Sequence, residues 1–117
     1  MIVVETLAHI NIPAVDIKKS LDFYTLFLDF EEVEQSQDEA VVSFNSVNLR
    51  LYRNDKWKPA AYPVLSFILD VDDFTEALQE IESREIPIVT GPFEIEGGES
   101  VYIQDPAGNL IELFYQE

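Results

Sequence analysis

The chain contains no cysteine among its 117 residues. That removes disulfide frameworks, cysteine-bound zinc and thiol nucleophiles together. Histidine occurs once, as His9, so a Ser–His–Asp triad would have to be built on that ring. Cations are scarce: 7 Lys+Arg stand against 23 Asp+Glu, for a net charge of −16. Nucleic acid and anionic membrane surfaces both call for a cationic face, and this composition excludes them as partners. An acidic surface favours the approach of a cationic ligand and is equally a means of staying soluble. No apolar run nears the ~20 residues that cross a bilayer. The opening Met1-Ile2-Val3-Val4-Glu5 lacks the basic segment and long apolar stretch of a secretory signal. The expectation is therefore a cytoplasmic protein in a reducing compartment. Gly-x-Ser-x-Gly, Walker-type and Gly-x-Gly-x-x-Gly loops are absent as well.

What is present is a core-forming composition, 47% apolar, in a chain the size of one domain or of two half-domains sharing a core. A faint internal repeat runs through it. His9-Ile10-Asn11-Ile12 and Ser66-Phe67-Ile68-Leu69 are each followed, seven residues from their start, by Asp16 and Asp73. Helical stripes come next: Ile17, Leu21, Tyr24 and Leu28 in the first half, Phe74, Ala77, Leu78 and Ile81 in the second. The two aspartates are natural helix N-caps, and Asp73 with Glu76 has the capping-box spacing. Strands follow in each half: Glu31–Gln35, Ala40–Phe44 and Asn48–Tyr52, then Ile86–Val89, Ser100–Gln104 and Leu110–Tyr115. Ser36-Gln37-Asp38, Asn45-Ser46, Gly91-Pro92, Gly97-Gly98 and Asp105-Pro106-Ala107-Gly108 supply turns. The order is strand, helix, three strands, twice over, with Asn54–Tyr62 as the connection.

Strand residues alternate between two faces. Ile10 and Ile12, Leu49 and Leu51, and Ile111 and Leu113 form aliphatic faces suited to packing under a helix. Phe67 and Leu69 do the same in the fifth strand. The opposite faces pool His9, Asn11, Arg50, Tyr52, Ser66, Ile68, Asp70, Glu112 and Phe114. Apolar surface with a few convergent polar groups is the composition of a ligand cavity. The alternative is one side of an antiparallel sheet meeting water.

The ending Asp105-Pro106-Ala107-Gly108-Asn109-Leu110-Ile111-Glu112-Leu113, with His9-Ile10-Asn11-Ile12 and Ser20-Leu21-Asp22-Phe23-Tyr24, resembles the vicinal oxygen chelate superfamily. That group holds glyoxalases, extradiol dioxygenases, fosfomycin-resistance enzymes and bleomycin-binding proteins. The resemblance covers essentially the whole chain. It implies an α+β fold in which two βαβββ modules, residues 1–54 and 63–117 of one domain, form a curved, partly open mixed sheet. It also implies a homodimer.

Metal-dependent members place ligands on the first, fourth, fifth and eighth strands. Those positions fall on His9, Arg50, Ser66 and Glu112. His9 and Glu112 are competent donors and Ser66 offers a neutral hydroxyl, but Arg50 has no lone pair and stays charged. Two unit charges about 4 Å apart interact by about 4 kcal/mol at an effective dielectric near 20, and a dication would be repelled more strongly. A catalytic zinc or iron normally takes three protein ligands. No cofactor is expected on this reading. Arg50 could instead neutralise Glu112, turn to solvent, or read a ligand carboxylate.

Three functions compete. The first is a metal-independent binder resembling the bleomycin-resistance branch, sequestering a bulky cationic or aromatic compound. Its ligand-binding residues would be His9, Asn11, Arg50, Tyr52, Trp57, Ser66, Ile68, Tyr102, Glu112 and Phe114. The second is a glyoxalase- or dioxygenase-type enzyme that holds a divalent metal on His9 and Glu112, with Glu112 also moving a proton. The third is an interaction module whose cavity is filled by its own side chains. Trp57 reads as a stacking residue at the cavity mouth or as a packing anchor. Glu94, Glu96 and Glu99 read as a mobile acidic loop, with a lid over a cationic ligand as its functional version.

Overall fold

A strand, a helix and three further strands follow one another twice along the chain. The computed structural model describes all residues, Met1–Glu117, in two units, Met1–Trp57 and Lys58–Glu117. The division falls inside the Asn54–Tyr62 connection. Each unit carries one four-stranded mixed sheet, so the α+β class and the repeated order expected from sequence are found.

The first unit holds β1 (Ile10–Ala14), α1 (Ile17–Asp22), β2 (Glu31–Gln35), β3 (Glu39–Phe44) and β4 (Val47–Arg53). Its sheet order is β1-β4-β3-β2, with β1 parallel to β4 and the hairpin neighbours antiparallel. Asp16 caps α1 by accepting the Lys19 N–H at 3.1 Å. The helix packs on β3 and β4, whose inward residues Ala40, Val42, Leu49 and Leu51 are fully buried with Ile12 of β1. Each large aliphatic side chain so buried stabilises the unit by about 1.5–3 kcal/mol. Asn45 and Ser46 both have positive φ, 47° and 68°. That is the two-residue turn whose twist suits a tight hairpin, and it joins Phe44 to its partner Val47.

The first helix departs from the expected continuous stripe. It is α-helical only to Asp22 and then opens into a π-helical turn over Phe23–Phe27. The wider turn rotates the side chains, so the adjacent rings Phe23 and Tyr24 are both buried. They meet edge-on at 5.1 Å, and Tyr24 meets Phe30 at 5.9 Å. Tight aromatic packing thus replaces regular i→i+4 geometry.

The second unit holds β5 (Leu65–Ile68), α2 (Phe74–Ser83), β6 (Ile88–Ile95), β7 (Gly98–Gln104) and β8 (Leu110–Gln116), in the order β5-β8-β7-β6. Asp73 caps α2 by accepting the Thr75 N–H at 2.9 Å, while the Glu76 N–H goes to the Asp73 carbonyl. The cap is therefore a single contact rather than the reciprocal box. Phe74 packs on Tyr115 of β8 at 5.2 Å. Val101, Ile103, Ile111 and Leu113, paired across β7 and β8, are buried on one face.

Three expectations are corrected in this unit. Gly91-Pro92 does not end a strand; it lies within β6, where the register shifts between Thr90 and Phe93. An edge strand tolerates a proline because its outward N–H needs no partner. Gly91 has a φ of 98° and sits where an added Cβ would come within 3.0 Å of the Ser100 carbonyl oxygen, so glycine is required there. The acidic loop is not a lid either. Glu94 and Glu99 face each other in the β6–β7 ladder, leaving Glu96-Gly97 as a two-residue turn. Gly98 approaches β8 so closely that a Cβ would stand 1.8 Å from the Tyr115 carbonyl oxygen. Asp70 lies beyond β5 and is exposed, so it leaves the pooled face.

Asp105 fixes the β7–β8 turn. Its buried carboxylate accepts the N–H groups of Ala107 and Asn109, each at 2.9 Å, and the Asn109 side-chain amide at 2.7 Å. Gly108, at φ 89°, completes the turn by donating to the Asp105 carbonyl. Asn109 is 1% exposed, so water cannot replace these contacts. Asp105→Ala should lower unfolding stability by about 2–3 kcal/mol, the cost of orphaning buried donors. Urea denaturation tests this, with the midpoint falling at an unchanged slope.

Candidate functional site

The non-core face of the first unit gathers around Arg50. Because Leu49 and Leu51 point into the core, Arg50 and Tyr52 must point away from it. The parallel register sets Asn11 beside Arg50, and the antiparallel register sets Val41 on its other side. Glu39 is opposite Tyr52 and reaches diagonally to Arg50. One carboxylate oxygen, Oε2, accepts from Nη2 at 2.6 Å and from Nε at 3.0 Å. Nη1 donates to the Asn11 side-chain oxygen at 3.3 Å. The guanidinium carbon lies 5.5 Å from the centre of the Tyr52 ring. Arg50 is the one cation of the chain that is not exposed. Its side chain is 33% accessible and that of Glu39 38%. Water still screens such a pair, and its net contribution to folding is about 1 kcal/mol.

In the second unit, the face opposite Ile111 and Leu113 centres on Glu112. The ladder places Ser66 on one side of it and Tyr102 on the other. Phe114, one step along β8, is flanked by Ile68 and Ser100. The Ser66 hydroxyl donates to Oε1 of Glu112 at 2.9 Å, and the fully buried Ser100 hydroxyl donates to Oε2 at 2.6 Å. A carboxylate has about four lone-pair positions, so two hydroxyls orient it and leave acceptor capacity. Phe93 meets Tyr102 edge-on at 5.3 Å. Ile68 is 69% exposed, an aliphatic side chain left in the open beside these rings. The face therefore combines an anion held by neutral donors with aromatic and aliphatic surface.

Of the residues singled out from sequence, Asn11, Arg50 and Tyr52 come together in the first unit. Ser66, Ile68, Tyr102, Glu112 and Phe114 come together in the second. His9 lies just ahead of β1 and is half-buried. Trp57 is half-buried too; its backbone N–H donates to the Asn54 carbonyl at 3.2 Å, and its indole N–H is enclosed without a partner. Of the roles left open for Arg50, the one found is neutralisation, with Glu39 rather than Glu112 as the partner. Glu39, Ser100 and Phe93 were missed because the second faces of β3, β6 and β7 were not pooled. The alternation of Glu39 with Ala40 and Val42 carried that signal.

A divalent metal does not fit the donors present. Of the two positions in the first unit, Arg50 is a paired cation without a lone pair, leaving His9. In the second, Ser66 spends its proton on Glu112 and is a weak neutral oxygen, leaving Glu112. At these four positions each unit offers one competent donor, where a catalytic ion takes three. A separate cleft of about 390 Å³ in the first unit is lined by Asp16, Lys18, Ser36 and Arg53 among others. Its cations are already paired, Lys18 with Asp22 and Arg53 with Asp55.

The two hydroxyls on Glu112 differ in burial, and so should their removal. Ser100→Ala should cost about 1–2 kcal/mol of unfolding free energy, as a charge-assisted bond lost away from water. Ser66→Ala should cost under ~0.5 kcal/mol, because solvent replaces it. Parallel urea melts of the two variants compare them directly.

A family model described as the Glyoxalase/Bleomycin resistance protein/Dioxygenase superfamily matches residues 6–113. Virulence protein STM3117 of Salmonella typhimurium is 31% identical over 122 residues, covering 95% of this chain and 84% of that protein. Its crystal structure superposes with a TM-score of 0.72 at 28% identity, over 99% of this chain and all of the other. Metallothiol transferase FosB of Staphylococcus epidermidis is 26% identical over 111 residues, 90% of this chain and 78% of that protein. The fosfomycin resistance protein FosX of Listeria monocytogenes, in a crystal form with Mn(II) and sulfate, has a TM-score of 0.80 at 19% identity. That match covers 98% of this chain and 93% of the other, and it is a likeness of fold.

Proposed function

We propose, for a chain that belongs to the Glyoxalase/Bleomycin resistance protein/Dioxygenase superfamily, a metal-independent role: it binds a small molecule that is cationic, aromatic or both. One observation carries this reading, the unequal treatment of two charged groups. Arg50 is cancelled by Glu39, whereas Glu112 is oriented by two neutral hydroxyls that leave its charge intact. An ammonium or amidinium recognised by Glu112 gains a charge-assisted hydrogen bond. Tyr102 and Phe114 beside it offer ring stacking and cation–π contact. The net charge of −16 raises the local concentration of cations around the whole chain. Shape and charge suffice for sequestration, and no bond need be made or broken.

The names of FosB and of the Mn(II) form of FosX support a second reading, a metal-dependent enzyme using His9 and Glu112. The donor chemistry at Arg50 and Ser66 weighs against it. The first reading further takes the protein to be a cytoplasmic homodimer. No helix is long and apolar enough to cross a membrane.

Calorimetric titration with a matched series, 2-naphthamidinium, 2-naphthamide and 2-naphthoate, tests the reading. The cation should bind best and the anion worst. Glu112→Gln should weaken the cation about tenfold, or about 1.4 kcal/mol, with little change for the amide. A folded protein that shows no saturable binding of the cation contradicts the proposal.

A further inference from the structure

We infer that Glu39 sets the charge selectivity of the first unit's non-core face by occupying an edge of Arg50 that would otherwise take an anion. The inference goes beyond the proposed binding role, which places its ligand at Glu112 in the second unit, and its test does not depend on that reading. A guanidinium offers carboxylates a planar fork, and the side-on edge formed by Nε and Nη2 is one of its two-donor faces. Glu39 holds that edge with a single oxygen, receiving Nη2 at 2.6 Å and Nε at 3.0 Å. Asn11 engages Nη1 at 3.3 Å, and Tyr52 lies against the guanidinium at 5.5 Å. Arg50 is thus presented in a fixed orientation, on the face away from the Leu49–Leu51 core, with a third of its side chain open to solvent.

Glu39 stands eleven residues from Arg50 along the β3–β4 hairpin. The Asn45-Ser46 turn and the ladder hold the two within reach, so Glu39 competes as a tethered ligand at high effective concentration. An anion that would take this same edge must displace it and leave a half-buried carboxylate unpaired. A neutral or cationic molecule does neither. Glu39 therefore works as a specificity-determining residue: it converts what would be an anion-reading arginine into a neutral, planar patch. Removing its charge while keeping its shape should return Arg50 to anion recognition.

The test is titration of 2-naphthoate and 2-naphthamidinium into the full-length wild type, Glu39→Gln, and Glu39→Gln combined with Arg50→Met. Thermal melts confirm folding, and Glu39→Thr, a strand-favouring substitute, serves if Glu39→Gln does not fold. Glu39→Gln should gain at least tenfold in affinity for 2-naphthoate. The gain should vanish when Arg50→Met is added. A folded Glu39 variant with unchanged 2-naphthoate affinity overturns the inference, as does a gain that survives the loss of Arg50. If wild type fails to bind 2-naphthamidinium while Glu39→Gln acquires Arg50-dependent 2-naphthoate binding, the cationic-ligand reading falls and the role of Glu39 stands.

Discussion

A guanidinium cannot shed its proton in a protein, so wherever the fold half-buries Arg50 it must also supply a counter-charge. The β3–β4 hairpin does so with Glu39, and the rest of the first unit's face follows from that pair. Asn11 reaches Arg50 because β1 runs parallel to β4 in register. Tyr52 lies against the guanidinium because two residues along a strand share a face. Charge and planarity are both fixed before any ligand arrives, which is the arrangement that lets a face discriminate rather than adapt.

The second unit solves a different problem with the same βαβββ order. Its central charge is an anion, and its partners are neutral hydroxyls on the strands to either side. The Asp105 turn sets the register of β8 against β7, and β5 adds in parallel on the far side of β8. Ser66 is therefore the direct ladder partner of Glu112, and Ser100, opposite Phe114, reaches it diagonally. The two units thus share topology and differ in electrostatics: one ends neutral at its charged centre, the other negative. Chemistry placed on a repeated scaffold in this way can diverge residue by residue while the aliphatic faces stay under their helices.

Much of this was legible in the sequence. Strand patterning and turn signals located seven of the strands closely, and in most of them one face is packed and the other is not. Asp16 and Asp73 marked both helix starts, since a carboxylate there satisfies free backbone N–H groups. Strand β6 was misread because a Gly-Pro pair usually breaks a strand, and only its place at the sheet edge makes it harmless. The π-helical turn over Phe23–Phe27 left no local mark; it reflects how rings pack against one another, which spacing does not encode. Glu39 escaped for a related reason. Its diagonal contact with Arg50 depends on hairpin register, whereas the resemblance drew attention to residues on other strands. Ser100 escaped because a lone serine in a strand carries no signal of what its hydroxyl will meet.

Arg50 and Ser66 give a divalent ion nothing better than a neutral hydroxyl, so the metal-independent reading requires that the chain hold no such ion. Elemental analysis by plasma mass spectrometry, on the chain purified without chelator and exchanged into metal-free buffer, tests that claim most directly. Manganese, iron, nickel and zinc should each be far below one equivalent per chain. A full equivalent of any of them, lost on either His9→Ala or Glu112→Ala, would contradict it.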